Sequence, residues 1–296
     1  MEKQVDEILR RLNNIADKLE PLIPNPPATD WGTCIAGVWT KDRHVGYVLP
    51  IENFHRIQLS DLLEIDRQKD ALIKNTAQFC HKLPANNALL WGARGTGKSS
   101  LIHALLNEFQ HDGLRLIELQ KSDFADFPEI VRAVKDQPYR FLIVCDDLSF
   151  DQSDSSFKEL KSILEGSIAA TTENVLIYAT SNRRHLIAEY MEENLSATYH
   201  KSELHESEAV EEKISLSDRF GLWLSFHPFN QDQYLSVVAH WLHRLSNESH
   251  IELFDIKSVK GEALQWALNR GVRNGRAAYH FAKQCIGQHL LQSTED

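Results

Sequence analysis

The stretch that decides the fold is Gly92-Ala93-Arg94-Gly95-Thr96-Gly97-Lys98-Ser99. An apolar run, 88–91, precedes it, and leucines at helical spacing follow it from Leu101 to Leu106. A strand, a glycine-rich loop and a helix in this order are typical of a phosphate-binding loop. Glycine lets successive backbone N–H groups turn inward, and the N-terminus of the helix adds a positive field. We expect Lys98 to reach the terminal phosphates of a nucleoside triphosphate and the Ser99 hydroxyl to bind Mg²⁺.

The composition is that of a globular protein with a substantial core. Hydrophobic residues make up 42 % of the chain and charged residues 25 %. A length of 296 residues is sufficient for one large domain or two modest ones. The net charge of −10 repels nucleic acid as a whole, so nucleic acid is not an expected partner. The four cysteines lack Cys-x-x-Cys spacing, so neither a zinc site nor a disulfide framework is indicated. Residues 1–20 mix charges with leucines and isoleucines, which predicts neither a signal peptide nor a membrane span and places the protein in the cytoplasm.

The pattern divides the chain into three parts, residues 1–55, 56–228 and 229–296. The first part is predicted to be a small module, with an amphipathic helix over 1–20 and two short strands at 33–40 and 44–50. The apolar stripe of this helix is expected to pack either on this chain or on a neighbouring molecule. The last part, helical from 231 to 291, is predicted to form a small bundle beside the nucleotide.

The middle part alternates helices with strands. Predicted strands at 114–119, 140–145 and 174–179 alternate with helices that end near 109, 134 and 165, and a longer helical pattern runs from 59 to 83. This alternation predicts an α/β domain with a parallel sheet covered on both faces. We expect Phe124 and Phe127 to pack a helix onto that sheet and not to line a pore. Residues 187–213 are rich in glutamate and are predicted to be a solvated insertion.

Polar residues follow two of the apolar strands, where parallel strands bring them to one edge of the sheet. Asp146 and Asp147 follow the strand 141–145, and Asn182 follows the strand 174–179. Asp146 is expected to hold Mg²⁺ opposite Ser99, and Asp147 to orient and deprotonate the attacking water. Asn182 is suited to a hydrogen bond with the terminal phosphate or the water, although capping the next helix is an alternative role.

Two arginines lie at positions suited to phosphate contacts. Arg219, in Asp218-Arg219-Phe220-Gly221, precedes a strand-like segment; a rigidly held arginine fits transition-state charge, but a structural pairing with the acidic insertion is the alternative. Arg276 begins a helix after a glycine, from where it could reach the γ-phosphate. Arg273 is the alternative candidate for this contact. For Arg183 and Arg184 three alternatives are open: contact with solvent, with acidic residues, or with a neighbouring subunit.

These motifs, in this order and spacing, resemble those of the AAA+ ATPases. The resemblance spans about residues 57–285 and matches Walker A at 92–99, Walker B at 141–147 and the sensor 1 asparagine at 182. It also matches an arginine finger at 218–221 and sensor 2 at 275–278. More narrowly, the segments 90–100, 145–150, 179–186 and 215–223 resemble an uncharacterised bacterial AAA+ family.

The resemblance implies a P-loop NTPase αβα sandwich with a C-terminal helical lid, ATP with Mg²⁺, and homo-oligomers when ATP is bound. It assigns catalytic roles to Asp147, Asn182, Arg219 and Arg276, and the metal to Ser99 and Asp146. It assigns the nucleotide to Gly92, Ala93, Arg94, Gly95, Thr96, Gly97, Lys98, Ser99 and Ser100, with Ile65 near the adenine.

One departure from the AAA+ pattern bears on the rate. Most members carry Asp-Glu where this chain has Asp146-Asp147, and the shorter second acid predicts slow hydrolysis. The first hypothesis is therefore a slow ATPase whose nucleotide state controls oligomerisation and the remodelling of an unknown protein partner. Two alternatives stay open: an ATP-dependent binding switch that does not hydrolyse, and a loader that acts on DNA.

Overall fold

The computed structural model describes residues 11, 29–42, 45–52, 54, 57–150, 155–165, 172–183, 218–251 and 255–295. Except for Arg11, the helix predicted over 1–20 lies outside these residues, as do the acidic segment 187–213 and Arg184. No described helix combines the length and the apolar character that a membrane span requires.

A single seven-stranded sheet forms the centre of the described structure. Its strands are β1 (Ala36–Asp42), β2 (Val45–Pro50), β3 (Ala88–Gly92), β4 (Leu114–Glu118), β5 (Arg140–Cys145), β6 (Val175–Ser181) and β7 (Leu222–Phe226). The order across the sheet is β2-β1-β4-β5-β6-β3-β7, and every neighbouring pair is parallel except the hairpin β1–β2. The predicted parallel sheet is thus confirmed, with β3, the strand before the glycine-rich loop, between β6 and β7.

Helices cover both faces of the sheet. They are α1 (Asp66–Cys80), α2 (Lys98–Phe109), α3 (Phe127–Val134), α4 (Ser155–Leu164), α5 (Gln231–Glu248), α6 (Ile256–Arg270) and α7 (Gly275–Glu295). One apolar core joins the sheet to α1, α2 and the C-terminal helices, and a second joins its other face to α3 and α4. The αβα sandwich is confirmed. Phe124 and Phe127 are buried in the second core, as expected for packing residues.

The N-terminal hairpin belongs to the main sheet. Strand β1 pairs in parallel with β4, with Ala36 opposite Leu116, and the Trp39 indole donates to the Asp126 carboxylate at 3.0 Å. Trp39 is buried beside α3, so the hairpin completes the second core. The two predicted strands are therefore an extension of the sheet and do not form a sheet of their own. The division of the chain at residues 55 and 228 stays a proposal.

The helix predicted over 59–83 is interrupted. A 3₁₀ turn at Leu59–Asp61 is followed by irregular backbone, and α1 begins only at Asp66. Glu64 has a φ of 65°, a left-handed conformation that a continuous helix cannot contain. The interruption brings Leu62 and Ile65 against Gly97 of the glycine-rich loop.

Candidate functional site

The glycine-rich loop has the compact form that the motif predicts. Gly92 and Gly97 have φ values of 133° and 104°, which glycine adopts without strain. A Cβ at Gly92 would lie 1.9 Å from the Phe226 carbonyl oxygen, so β7 approaches the loop too closely for any side chain. The Thr96 hydroxyl donates to the Ala93 carbonyl at 2.8 Å and closes the loop from within.

Lys98, the first residue of α2, points back across the loop. Its ammonium donates to the carbonyl oxygens of Gly92 and Ala93 at 2.8 and 2.9 Å and to Asn182 Oδ1 at 3.1 Å. Burial lowers the pKa of Lys98, and the nearby carboxylates of Asp146 and Asp147 oppose that shift. The site therefore holds a partly desolvated cation at the N-terminus of a helix, where an anion is favoured.

A hydroxyl and a carboxylate meet next to this cation. Ser99 Oγ donates to Asp146 Oδ1 at 2.6 Å, and Thr180 Oγ1 donates to the same oxygen at 2.6 Å. Oxygen ligands of this kind suit Mg²⁺, which takes few ligands from the protein and the rest from phosphate and water. Among the described residues, no group of three or more His, Cys, Asp or Glu side chains is arranged to hold a metal ion by itself.

Asp147 lies at the mouth of the site. Its backbone has a φ of 52°, and its N–H donates to Thr180 Oγ1 at 2.9 Å. Asn182 Nδ2 donates to Oδ1 of the Asp147 carboxylate, and Arg94 Nη2 lies 3.6 Å from Oδ2. A non-glycine residue in this conformation is often found at functional sites, where the surrounding contacts hold the strained backbone.

The N-terminus of α7 contacts the glycine-rich loop. The Arg276 N–H donates to the Gly95 carbonyl at 3.1 Å, and Asn274 Nδ2 donates to the Arg94 carbonyl at 2.8 Å. The Arg276 side chain lines the same cavity as Lys98. Arg273, the competing candidate, lines a separate groove instead.

A polar cavity and an apolar cavity both border the loop. The polar one, about 310 Å³, is lined by Arg94, Gly95, Gly97, Lys98, Ser99, Asp146, Asp147, Thr180, Asn182 and Arg276. The other, about 270 Å³, is mainly apolar and lies between the segment before α1 and the C-terminal helices. Its walls include Ile65, Trp241 and Tyr279. Gly95, Gly97 and Arg276 line both cavities.

Arg219 is not among the residues that line the polar cavity. Its guanidinium pairs with Glu165, just after α4. The predicted acidic insertion lies outside the described residues, so the alternative pairing with it stays a prediction. The Arg219 side chain is 23 % exposed. Arg183 is exposed at the end of β6, where its N–H donates to the Ser181 hydroxyl.

The sheet order and the glycine-rich loop are those of the P-loop fold of the AAA+ class. Within that class, the chain belongs to the family described as "Protein of unknown function (DUF815)", whose match covers residues 32–289. The match confirms the resemblance to an uncharacterised AAA+ family and takes in the hairpin β1–β2, which the resemblance had left outside.

Solved structures show the same fold at low identity. A variant of RuvB from Thermotoga maritima is 15 % identical, with a TM-score of 0.54, and the match covers 81 % of this chain and 68 % of that one. For another RuvB structure, with a TM-score of 0.50, the coverage is 78 % and 65 %. A curated relative, the replication factor C large subunit of Ignicoccus hospitalis, is 35 % identical over 77 residues, and this chain spans only 16 % of its length. The expectation that nucleic acid is not a partner stays a prediction, and these comparisons give it no support.

Two contributors to the site, Thr180 and Asn274, were not singled out from the sequence; Arg94 was expected at the nucleotide, but its contact with Asp147 was not expected. Thr180 donates a hydrogen bond to Asp146, and Asn274 donates one to the loop carbonyl of Arg94. The side chain of Arg94 faces Asp147. Thr180 and Asn274 are adjacent to motifs that were recognised, which was the available signal. Their partners lie far away along the chain, so only the folded sheet brings the contacts together.

Proposed function

We propose that the protein is an AAA+ ATPase that binds Mg²⁺-ATP in the polar cavity and hydrolyses it slowly. The observation that carries the proposal is the convergence of Lys98, Ser99, Asp146 and Asn182 on one cavity beside a glycine-rich loop. In this proposal the backbone of residues 92–100 holds the phosphates, Lys98 and Arg276 neutralise their charge, and Ser99 and Asp146 hold Mg²⁺. When bound, Mg²⁺ supplies charge neutralisation on the phosphate oxygens.

The second cavity is the proposed site for the adenine. Its apolar wall, with Ile65, Trp241 and Tyr279, suits a planar base that loses its water on binding. Because α5 and α7 form part of that wall, the C-terminal helices act as the lid in this proposal.

Asp147 is the proposed catalytic carboxylate, with Asn182 as its partner. The amide of Asn182 contacts both Lys98 and Asp147, so it connects the cation to the acid without adding charge. Asp147 orients the attacking water and accepts its proton, and its short side chain supports a slow rate.

Arg219 is proposed to act on a neighbouring copy. Its position outside the cavity of its own subunit is what an arginine finger supplied by another subunit requires. ATP binding would then favour homo-oligomers in the cytoplasm, and the nucleotide state would control the remodelling of a protein partner. A non-hydrolysing ATP switch is the second candidate, favoured by the short acid at position 147.

A mixing experiment tests this proposal. Arg219→Ala and Lys98→Ala should each abolish phosphate release, and Arg219→Ala should still bind ATP. In a 1:1 mixture, one interface in four joins an intact loop to an intact arginine, so about a quarter of the wild-type rate should return.

Three outcomes would contradict the proposal or a part of it. No recovery in a mixture whose components are shown to assemble would mean that Arg219 acts within its own subunit. Full turnover by monomeric wild-type protein would mean that hydrolysis does not depend on a neighbour. No phosphate release over hours, with ATP tightly bound, would favour the switch.

A further inference from the structure

The backbone around Arg94 is held on two sides. The Ala93 N–H donates to the Phe226 carbonyl at 3.2 Å, which ties the loop to β7. On the other side, Asn274 Nδ2 donates to the Arg94 carbonyl at 2.8 Å. The position of residue 94 therefore depends on where the N-terminus of α7 lies against the loop.

The side chain of Arg94 extends from this fixed backbone to Asp147. Asn182 donates to one oxygen of the Asp147 carboxylate, and the Arg94 guanidinium lies 3.6 Å from the other. Two contacts from two different elements restrict the rotation of the carboxylate more than either alone. Asp147 is otherwise free to turn, because 56 % of its side chain is exposed.

Stability does not account for the pair between Arg94 and Asp147. The Arg94 side chain is 75 % exposed, and exposed ion pairs contribute little to folding stability. Orientation has a much larger effect on a reaction, since a displacement of about 1 Å can lower a rate roughly a hundredfold. A weak contact of this kind is therefore sufficient to position an acid.

We propose that Arg94 is a positioning residue that transmits the location of the C-terminal helices to Asp147. The path runs from Asn274 at the start of α7, through the Arg94 backbone and guanidinium, to the carboxylate. Movement of α7 relative to the loop changes the orientation of the acid. The inference rests on the proposed function for the role of Asp147 in hydrolysis, whereas the mechanical path is testable without any turnover.

Four variants separate this path from general damage. Arg94→Ala removes the guanidinium, and Arg94→Lys keeps the charge without the planar fork. In the wild type, the Ala277 N–H donates to Asn274 Oδ1 at 2.8 Å, and the Asn274 amide donates to the Arg94 carbonyl. Asn274→Ser keeps an oxygen that can cap the Ala277 N–H but removes the amide that contacts Arg94. Arg132→Ala, at an exposed position on α3, is the matched control.

The first measurement is amide hydrogen exchange over residues 146–148 in the full chain without nucleotide. The N–H groups of Asp147 and Leu148 donate to Thr180, so their exchange reports on this turn. Arg94→Ala and Asn274→Ser should each raise the exchange rate of these amides by about threefold or more. Arg94→Lys should give an intermediate rate, and Arg132→Ala should exchange at the wild-type rate. Unchanged exchange in both Arg94→Ala and Asn274→Ser would overturn the proposal, whatever the turnover.

The second measurement compares phosphate release with the affinities for ATP and ADP. Arg94→Ala should lower kcat by about ten- to a hundredfold while both affinities stay within about threefold of wild type. Adding Asn274→Ser to Arg94→Ala should lower kcat no further, because both act on one path. A tenfold loss of ATP affinity with ADP unchanged would overturn the inference, since Arg94 would then contact the terminal phosphate. If exchange rises but wild-type protein never releases phosphate, the coupling stands and the proposed ATPase function fails.

Discussion

Replacing Arg244 by methionine should destabilise the contact between the C-terminal helices and the segment before α1. The Asp61 side chain is only 3 % exposed, and Arg244 of α5 pairs with its Oδ2. The Gln58 N–H also donates to Oδ2 at 2.7 Å, and His240 Nε2 lies 3.3 Å from Oδ1. Arg244→Met keeps the aliphatic stem beside Trp241 but leaves a buried carboxylate without its arginine.

The expected loss follows from the burial of Asp61. Removing one partner of a buried ion pair typically costs about 3–5 kcal/mol. The Gln58 and His240 contacts remain, and 26 % of the Arg244 side chain is exposed, so we expect the lower end, about 3 kcal/mol. Glu248 pairs with the same arginine at 2.9 Å but is 54 % exposed, so Glu248→Gln should cost less than about 1 kcal/mol.

Urea denaturation followed by tryptophan fluorescence measures this difference, because Trp241 lies 5.3 Å from the Arg244 guanidinium. Asp61→Asn combined with Arg244→Met should be less destabilised than the sum of the two single changes, since no buried charge is then left alone. Equal losses for Arg244→Met and Glu248→Gln, or strict additivity in the double variant, would refute the reasoning.

Two further predictions concern the sheet. Gly92→Ala should destabilise the protein by about 3 kcal/mol or more, because its Cβ would lie 1.9 Å from the Phe226 oxygen; a thermal midpoint equal to wild type would contradict this. Burial raises the pKa of Tyr178 from its ordinary 10.0 to about 12, so the folded protein keeps a proton that the unfolded chain loses. Stability should therefore fall as the pH rises from about 10 to 12, by about 1 kcal/mol per unit, and Tyr178→Phe should reduce that slope in urea titrations at several pH values.

The glycine-rich loop and the acids after β5 could be located from the sequence because their signals are local. Gly92 to Ser99 and Asp146 carry their meaning in short segments, and parallel strands bring such segments to one edge of a sheet whatever lies between them. The strand β5 was predicted with its observed bounds, 140–145, and the helix α3 with its observed end at residue 134. Ile65, expected near the adenine by resemblance, lines the apolar cavity, and its contact with a nucleotide stays a prediction.

The features that the sequence did not reveal depend on pairing between distant residues. Nothing near Ala36 indicates that β1 will pair with β4, about eighty residues later. In the same way, the buried pair of Asp61 and Arg244 joins segments that are far apart in the chain. The break at Glu64 arises because the backbone turns toward the loop, a tertiary constraint that overrides the helical spacing of the leucines.

The central claim is that Lys98 and its neighbours bind a nucleoside triphosphate together with Mg²⁺. Isothermal titration of the full chain with ATP, with and without Mg²⁺, tests it most directly, alongside Lys98→Ala, Asp146→Asn and the exposed-lysine control Lys135→Ala. Wild type and Lys135→Ala should bind, Lys98→Ala should lose about a hundredfold or more in affinity, and Asp146→Asn should lose the benefit of Mg²⁺. ATP affinity that is the same in Lys98→Ala and wild type would contradict the account.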